Sequence, residues 1–336
     1  MTYLESKSAD HSFTLVSVII VNYNGRAYLD ACISSILAQT YPKIEIIFVD
    51  NNSIDDSIDY IKVNFPSVVI IACNENYGFA KGNNIGIKAS KGDLVATLNT
   101  DTKVTSRWVE ELVQGISLDE KVGMCASKML FMTEPKLINS TGVCISRSGA
   151  CWDRGMFEQD KGQHDSCTDV FGPCAGAAIY RKSMLEEIGL FDEDFCAYME
   201  DVDLAFRGRL AGWKCSYVPN AVVYHFHGGT AGYFSDYTVY HGNRNIIWNA
   251  FKNFPNQFLI TSLPWIICRN LAVIPYYILK GQGSVIFRSK IDAIKGMNKI
   301  LLKRSPCLVD KEEITKYIYS WADIRSPSHN KIKFYK

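Results

Sequence analysis

The chain has 336 residues, 36 Lys and Arg against 35 Asp and Glu, and a formal net charge of +1. That balance offers no global attraction for nucleic acid, and the length is ample for a large core in one or two domains. The 11 cysteines are scattered with no Cys-x-x-Cys pair and no apolar leader opens the sequence, so the expectation is reduced thiols in a cytoplasmic protein, not a disulfide scaffold.

Residues 1–14 read as a polar tail. Residues 17–21 are continuous, apolar and β-branched, which predicts a buried strand. Residues 22–25 break it, with Asn24 placed to cap a helix in which Tyr28, Leu29, Cys32, Ile33, Ile36 and Leu37 recur at helical spacing. A second strand over 44–49 ends in Asp50 and Asn51. Asp55, Asp56 and Ser57 open a second helix, where acids suit the dipole, and 68–71 form a third strand. Strands alternating with helices imply an α/β fold with a mainly parallel sheet flanked by helices. In open sheets of this kind ligands sit beyond the carboxyl ends of the strands.

The apolar run 94–98 ends in Asn99-Thr100-Asp101. A carboxylate where a buried strand meets a loop suits a hard cation, Mg²⁺ or Mn²⁺, that also takes phosphate oxygens. Between these strands, residues 74–86 carry Gly78, Gly82 and Gly86. Those glycines allow a backbone to approach a ligand, and a helix after Phe79 would present its amino end to a diphosphate. A glycine-rich loop without a ligand fits equally well. There is no GxGxxG pattern, so a nicotinamide or flavin site loses its main support.

In the second half, 171–178 is a small, glycine-rich turn before a strand. Glu200 and Asp201 then start a helix whose Val202, Phe206 and Leu210 share one face, with Gly212 as its stop. Adjacent helical residues point about 100° apart, so one of the two acids faces a substrate. Asp203 and Arg207 are spaced for a structural ion pair. No Ser-His-Asp or Cys-His arrangement suggests a covalent intermediate.

In this order and at these spacings, residues 17–24, 49–53, 76–86, 98–101 and 191–213 resemble glycosyltransferase family 2, with the nearest likeness to bacterial rhamnosyltransferase-like members. The resemblance covers roughly residues 15–305. It implies the GT-A fold, a nucleotide-diphosphate sugar donor (dTDP- or UDP-linked, rhamnose included), inversion at the anomeric carbon, Mn²⁺ or Mg²⁺, and a glycan or lipid-linked acceptor in polysaccharide synthesis. Matched position by position, it assigns the general base to Asp201 and the metal to Asp101 and His225, with His227 as second candidate. Donor contacts fall on Val21, Tyr23, Asp50, Asn51, Asn76, Gly78, Phe79, Asn83, Asn99 and Thr100. The acceptor side falls on Cys174, Ala175, Gly176 and Glu200. One departure is Asn99, where the wider superfamily often has Asp, so Asp101 carries most of the metal role. A sugar-nucleotide pyrophosphorylase would show a Gly-rich, Arg-containing loop after the first strand. A catalytically inactive assembly partner would have lost Asp101 or Asp201.

Residues 258–279 are nearly all apolar, and 251–304 carry nine Lys or Arg against the single acid Asp292. That pattern fits a membrane-surface element or a helical hairpin packed on the catalytic domain or on a second copy. Pro264 and Pro275 argue against a straight helix. Arg269 near the middle argues against a crossing; at an interface it would reach headgroups, with Trp265, Tyr276 and Tyr277 at the boundary. The expected organisation is a catalytic unit over 15–250, divided at 101/102 into nucleotide and acceptor halves, followed by a helical extension over 251–336, peripheral to the inner face of the cell membrane.

Overall fold

The computed structural model describes residues 13–226 and 234–320; His227 lies outside them. The first half alternates as its sequence predicts: β1 (Val16–Asn22), α1 (Leu29–Leu37), β2 (Ile44–Asp50), α2 (Ser57–Asn64), β3 (Val69–Ala72), α3 (Gly78–Ala89) and β4 (Leu94–Asn99). Then come β5 (Thr102–Val104), α4 (Trp108–Ser117), β6 (Val122–Phe131), β7 (Ile138–Ser140), β8 (Val143–Ser146), β9 (Cys151–Asp153), β10 (Ala177–Arg181), α5 (Lys182–Ile188), α6 (Glu200–Leu210) and β11 (Lys214–His225). The chain continues through α7 (Asp236–Asn253), α8 (Asn256–Leu279), α9 (Gly283–Lys295), α10 (Met297–Leu301), α11 (Lys311–Thr315) and β12 (Ile318–Tyr319).

The main sheet runs β3-β2-β1-β4-β10-β6-β11-β5, with β7 on β6. β1 to β4 pair in parallel, β10 is antiparallel to both β4 and β6, and β5 is antiparallel to β11. Its strands are apolar on both faces because each face is covered. On one face Val16, Val18 and Ile20 pack with Leu29, Ile33, Trp108 and Leu112; on the other Ile19 and Val95 pack with Ile87, Met184, Phe206 and Phe254. In-register pairing sets Asn22 beside Asp50 and Val21 beside Asn99. The three polar strand ends found in the sequence therefore sit side by side on one edge.

Three local expectations are corrected. Asn24 caps no helix: it sits at φ 52° and its Oδ1 accepts from Ile54 N at 2.9 Å, tying together the loops after β1 and β2. Gly82 and Gly86 serve helix–sheet packing. A Cβ on Gly82 would stand 2.7 Å from Val21 Cγ1, and one on Gly86 2.4 Å from Ile19 Cγ2, so their lack of a side chain lets α3 lie directly on β1. The prolines do not break α8, which runs through Pro264 and Pro275.

Much of the C-terminal basic charge is used in attachment. Lys252, 3% exposed, bridges Asp192 and Asp203 at 2.7 Å each. Lys303 pairs with Asp192 and Asp194, and Lys299 with Asp194. The expected Asp203–Arg207 pair forms at 2.9 Å, fully buried. β12 then returns to add a strand to β8, on the side opposite β9.

Candidate active site

The site lies along the carboxyl edge of β1, β2, β4 and β11. β5 starts immediately after Asp101 and pairs antiparallel with the end of β11, setting His225 opposite Thr102. Phe226 N donates to Asp101 O at 2.9 Å, closing the junction. In consequence His225 Nε2 lies 3.1 Å from Asp101 Oδ1, with Asn99 Nδ2 3.5 Å from the same nitrogen. On the far side of the ring, His225 Nδ1 is 2.9 Å from Asn139 Oδ1. In the tautomer that donates Nδ1–H to Asn139, Nε2 presents its lone pair beside the Asp101 carboxylate, the arrangement a metal-ligating His takes.

The expected metal residues thus fit a divalent ion, with Asp101 oxygen and His225 nitrogen as its donors. Among the described residues no cluster of three or more His, Cys, Asp or Glu forms a protein-only cage. Asn139, on β7, is a member of this arrangement that no spacing or motif signals in the sequence.

Asp201 and Glu200 stand at the start of α6. Asp201 Oδ2 accepts from Ala175 N at 3.2 Å and Oδ1 from Val202 N at 2.8 Å. Glu200 is buried, and its Oε2 has no partner among the described residues. Burial raises both carboxyls, Glu200 well above its ordinary range with the Asp201 charge adding to the effect. The backbone donors oppose the rise for Asp201. The two backbone donors favour the ionised form on Asp201 over Glu200. Cys174, Ala175 and Gly176 are brought to the same place: Thr97 Oγ1 donates to Ala175 O at 2.6 Å and Asn99 N to Gly176 O at 2.9 Å. This segment ties the end of β4 to Asp201.

Asp153, on β9, is a second group that the sequence does not signal. Burial pushes its carboxyl up to about 6, with the Asp201 charge adding to the rise and His225 opposing it. Its Oδ1 has no partner among the described residues. It stands within electrostatic reach of both His225 and Asp201.

On the donor side, Asp50 is fully buried and holds the loop after β2: it accepts from Asn22 Nδ2 at 2.9 Å, Ser53 N at 2.8 Å and Ser53 Oγ at 2.6 Å. Asn51 Nδ2 donates to Gly78 O, and Asn83 Nδ2 to Phe79 O. The buried Oδ1 atoms of Asn22, Asn51 and Asn83 have no partner. Unpaired acceptors of this kind are costly, and a nucleoside hydroxyl or N–H would satisfy them. Val21, Phe79 and Asn99 are partly exposed, Thr100 is buried, and Tyr23 and Asn76 are open to solvent. The amino end of α3 is less open than expected: Asn76 Oδ1 accepts from Gly78 N, and Cys196 O from Ala80 N.

The sequence profile of Glycosyl transferase family 2 matches residues 17–189, just over half the chain. The chain belongs to glycosyltransferase family 2. It is a transferase enzyme on that ground. A Haemophilus influenzae protein described as an uncharacterized glycosyltransferase is 26% identical over 227 residues, 64% of this chain and 66% of that protein. The O-antigen biosynthesis protein RfbC of Myxococcus xanthus is 27% identical over 209 residues, 59% of this chain but 16% of that protein. The chain thus spans at most about two thirds of these family 2 relatives. Among solved structures, the mannosyltransferase PcManGT of Pyrobaculum calidifontis, in complex with GDP-Man and Mn²⁺, superposes with a TM-score of 0.53 at 16% identity, covering 86% of this chain and 85% of that one. This likeness establishes the GT-A fold: a mixed sheet flanked by helices, with a helical C-terminal region.

Proposed function

We propose that this family 2 member is an inverting, metal-dependent glycosyltransferase of the hexosyltransferase class. It moves a sugar from a dTDP- or UDP-linked donor, rhamnose being the sugar the sequence resemblance favours, to a glycan or lipid-linked acceptor in polysaccharide synthesis. The observation that carries the reading is the juxtaposition of the Asp101–His225 pair with the Asp201 carboxylate along one sheet edge. Asp201, kept ionised by two backbone N–H groups while Glu200 holds a proton, takes the proton of the acceptor hydroxyl. That oxygen attacks the anomeric carbon from the face opposite the diphosphate, and the bond to the diphosphate oxygen breaks. A positioned base contributes typically 10²–10⁴-fold, roughly 3–5 kcal/mol. Asp101 and His225 would hold Mn²⁺ or Mg²⁺, which when bound offsets charge on the leaving diphosphate. The Mn²⁺ complex of the Pyrobaculum fold relative supports this choice. The unsatisfied amides of Asn22, Asn51 and Asn83 receive the nucleoside.

The same reading places the enzyme at the inner face of the membrane, as a peripheral protein. α8 is long and apolar enough to cross a bilayer, by length and composition, and little of it is buried. Ile267, Leu271 and Ile278 on α8, and Phe287, Ile291 and Ile294 on α9, are exposed apolar side chains at helical spacing. Arg269 does not reach outward as expected but turns inward to Asn243 on α7. Flotation of the full chain with anionic vesicles tests the placement: loss of binding in Leu271→Glu/Ile291→Glu supports it, and a salt-independent dimer with no lipid binding contradicts it. The transfer reading is tested by incubating the protein with a panel of nucleotide-sugars and Mn²⁺. Release of nucleoside diphosphate from one donor, abolished by chelator, is the expected result; no turnover or binding of any donor overturns it.

A further inference from the structure

Arg269 on α8 and Lys290 on α9 form a cluster that the transfer chemistry does not use. Arg269 NH1 donates to Asn243 Oδ1 at 3.3 Å and Asn270 Oδ1 at 3.2 Å. Lys290 Nζ donates to the same two oxygens, at 3.4 and 2.7 Å, and to Asn243 O at 3.1 Å. Two cations therefore share two amide oxygens, and neither pairs with a carboxylate among the described residues. The nearby Lys252, Lys299 and Lys303 have acids as partners, whereas Arg269 and Lys290 are held by amide oxygens alone. Like charges withdrawn from water beside each other are unfavourable unless an anion joins them. Burial, together with the Arg269 charge, drives the Lys290 ammonium down to about 6 in the protein alone.

The helix that carries Arg269 is tied to the strand pair next to the recess. The Arg269 charge acts on the Cys151 thiol, and so does that of Asp201. Cys151 is on β9, two residues from Asp153. The β8–β9 turn is fastened to α8, with Arg147 donating to Thr261 Oγ1 at 2.8 Å and to Ser262 Oγ at 3.3 Å. α8 thus carries Arg269 on a helix fastened to the β8–β9 turn and, with α9, presents exposed apolar side chains to solvent.

We propose that Arg269 and Lys290 form a binding site for a phosphoryl group of the acceptor, held between α8 and α9. A planar guanidinium and an ammonium set side by side match a tetrahedral oxyanion. The phosphoryl group has two possible sources: a lipid phosphate in the bilayer, or a soluble sugar phosphate. Calling it the acceptor's rests on the transferase reading; the site itself does not.

The test uses the full chain, with chelator present and no donor, so that its failure is distinct from failure of the transfer assay. Inorganic diphosphate raises the thermal midpoint of the wild type. In Lys290→Met diphosphate affinity falls at least tenfold, with the unliganded midpoint little changed because Lys290 pairs with no acid. Arg269→Gln keeps a donor for Asn243 and loses affinity in the same way, which separates charge from packing. Phosphatidylcholine vesicles with and without a few per cent of a polyprenyl phosphate distinguish the sources. Preferential flotation with the phosphorylated lipid, lost in Lys290→Met, supports the lipid source. Diphosphate binding without that preference supports the soluble source. Equal diphosphate and vesicle binding by wild type and both variants overturns the site, as does a large drop in the unliganded midpoint of Lys290→Met.

Discussion

His225 Nε2 and Asp101 Oδ1 stand 3.1 Å apart although 124 residues separate them in the chain. Strand order produces the contact: β5 begins at the residue after Asp101 and runs antiparallel to the end of β11. A third side chain, Asn139, orients the imidazole from behind.

The orienting role of Asn139 has a measurable consequence. Asn139→Ala should lower Mn²⁺ affinity about 10–100-fold, the usual effect of losing a partner behind a metal-ligating His. Asp101→Ala should abolish metal-dependent donor binding while the circular dichroism spectrum and thermal midpoint are retained. Asn99→Ala should do less, since an amide oxygen is a weaker ligand than a carboxylate. Calorimetric titration of Mn²⁺ in the presence of the nucleoside diphosphate measures all three.

Glu200 makes stability depend on pH. Its folded carboxyl is raised above the unfolded value of 4.5 by burial and by Asp201, so the folded state binds more protons than the unfolded chain. Stability therefore falls as pH rises from the unfolded value toward the folded one. Glu200→Gln should raise the thermal midpoint at pH 7 and flatten the loss between pH 5 and 7. A variant less stable than wild type at pH 7 would show that the buried charge is compensated.

Lys252 joins α7 to the catalytic sheet. Lys252→Met leaves Asp192 and Asp203 with fewer cations in a buried setting. Removing one partner of such a network typically costs about 3–5 kcal/mol, and the lower end is expected because Arg207 still pairs with Asp203 and Lys303 with Asp192. The wild-type network also sets the acid limb. The bases hold Asp192 at about 2 and Asp203 below its usual range, so their contribution is fully present above 3.8 and lost as pH falls through about 2. Urea unfolding of wild type and variant at pH 7 and pH 3 gives both quantities.

Gly86→Val should destabilise by about 1–3 kcal/mol, the range for forcing extra carbon into a packed contact. Its Cβ would meet Ile19 Cγ2 at 2.4 Å. A second change, Ile19→Ala, should recover part of the loss by making room. If Gly86→Val is neutral, α3 does not rest on β1 through this residue.

The alternation of apolar runs and helical periodicity was enough to place β1 to β4 and the polar groups at their ends, because parallel strands buried on both faces leave continuous apolar signatures. Asp101 is signalled by its place at the end of a buried strand, and Asp201 and His225 by a resemblance spread over several segments; the contact of Asp101 with His225 depends on β5, whose three residues carry no periodicity. Asn139 and Asp153 lie on short strands in the middle of the chain, β7 and β9, where register and not composition decides what faces the recess. The glycines of α3 misled for a related reason: a glycine needed for close helix packing and one needed for a ligand look alike until the neighbour is seen. Nor does a count of basic residues reveal that Lys252, Lys299 and Lys303 hold helices in place while Arg269 and Lys290 pair with no acid.

The central claim is that Asp201 is the base for a hydroxyl that attacks a metal-held nucleotide-sugar. Its most direct test is steady-state transfer by Asp201→Asn and Glu200→Gln, with donor affinity measured in parallel. The account predicts a 10²–10⁴-fold loss of turnover in Asp201→Asn with donor affinity nearly unchanged, and a much smaller effect of Glu200→Gln, which resembles a carboxyl already protonated. Near-normal turnover in Asp201→Asn, with activity lost in Glu200→Gln, would contradict it.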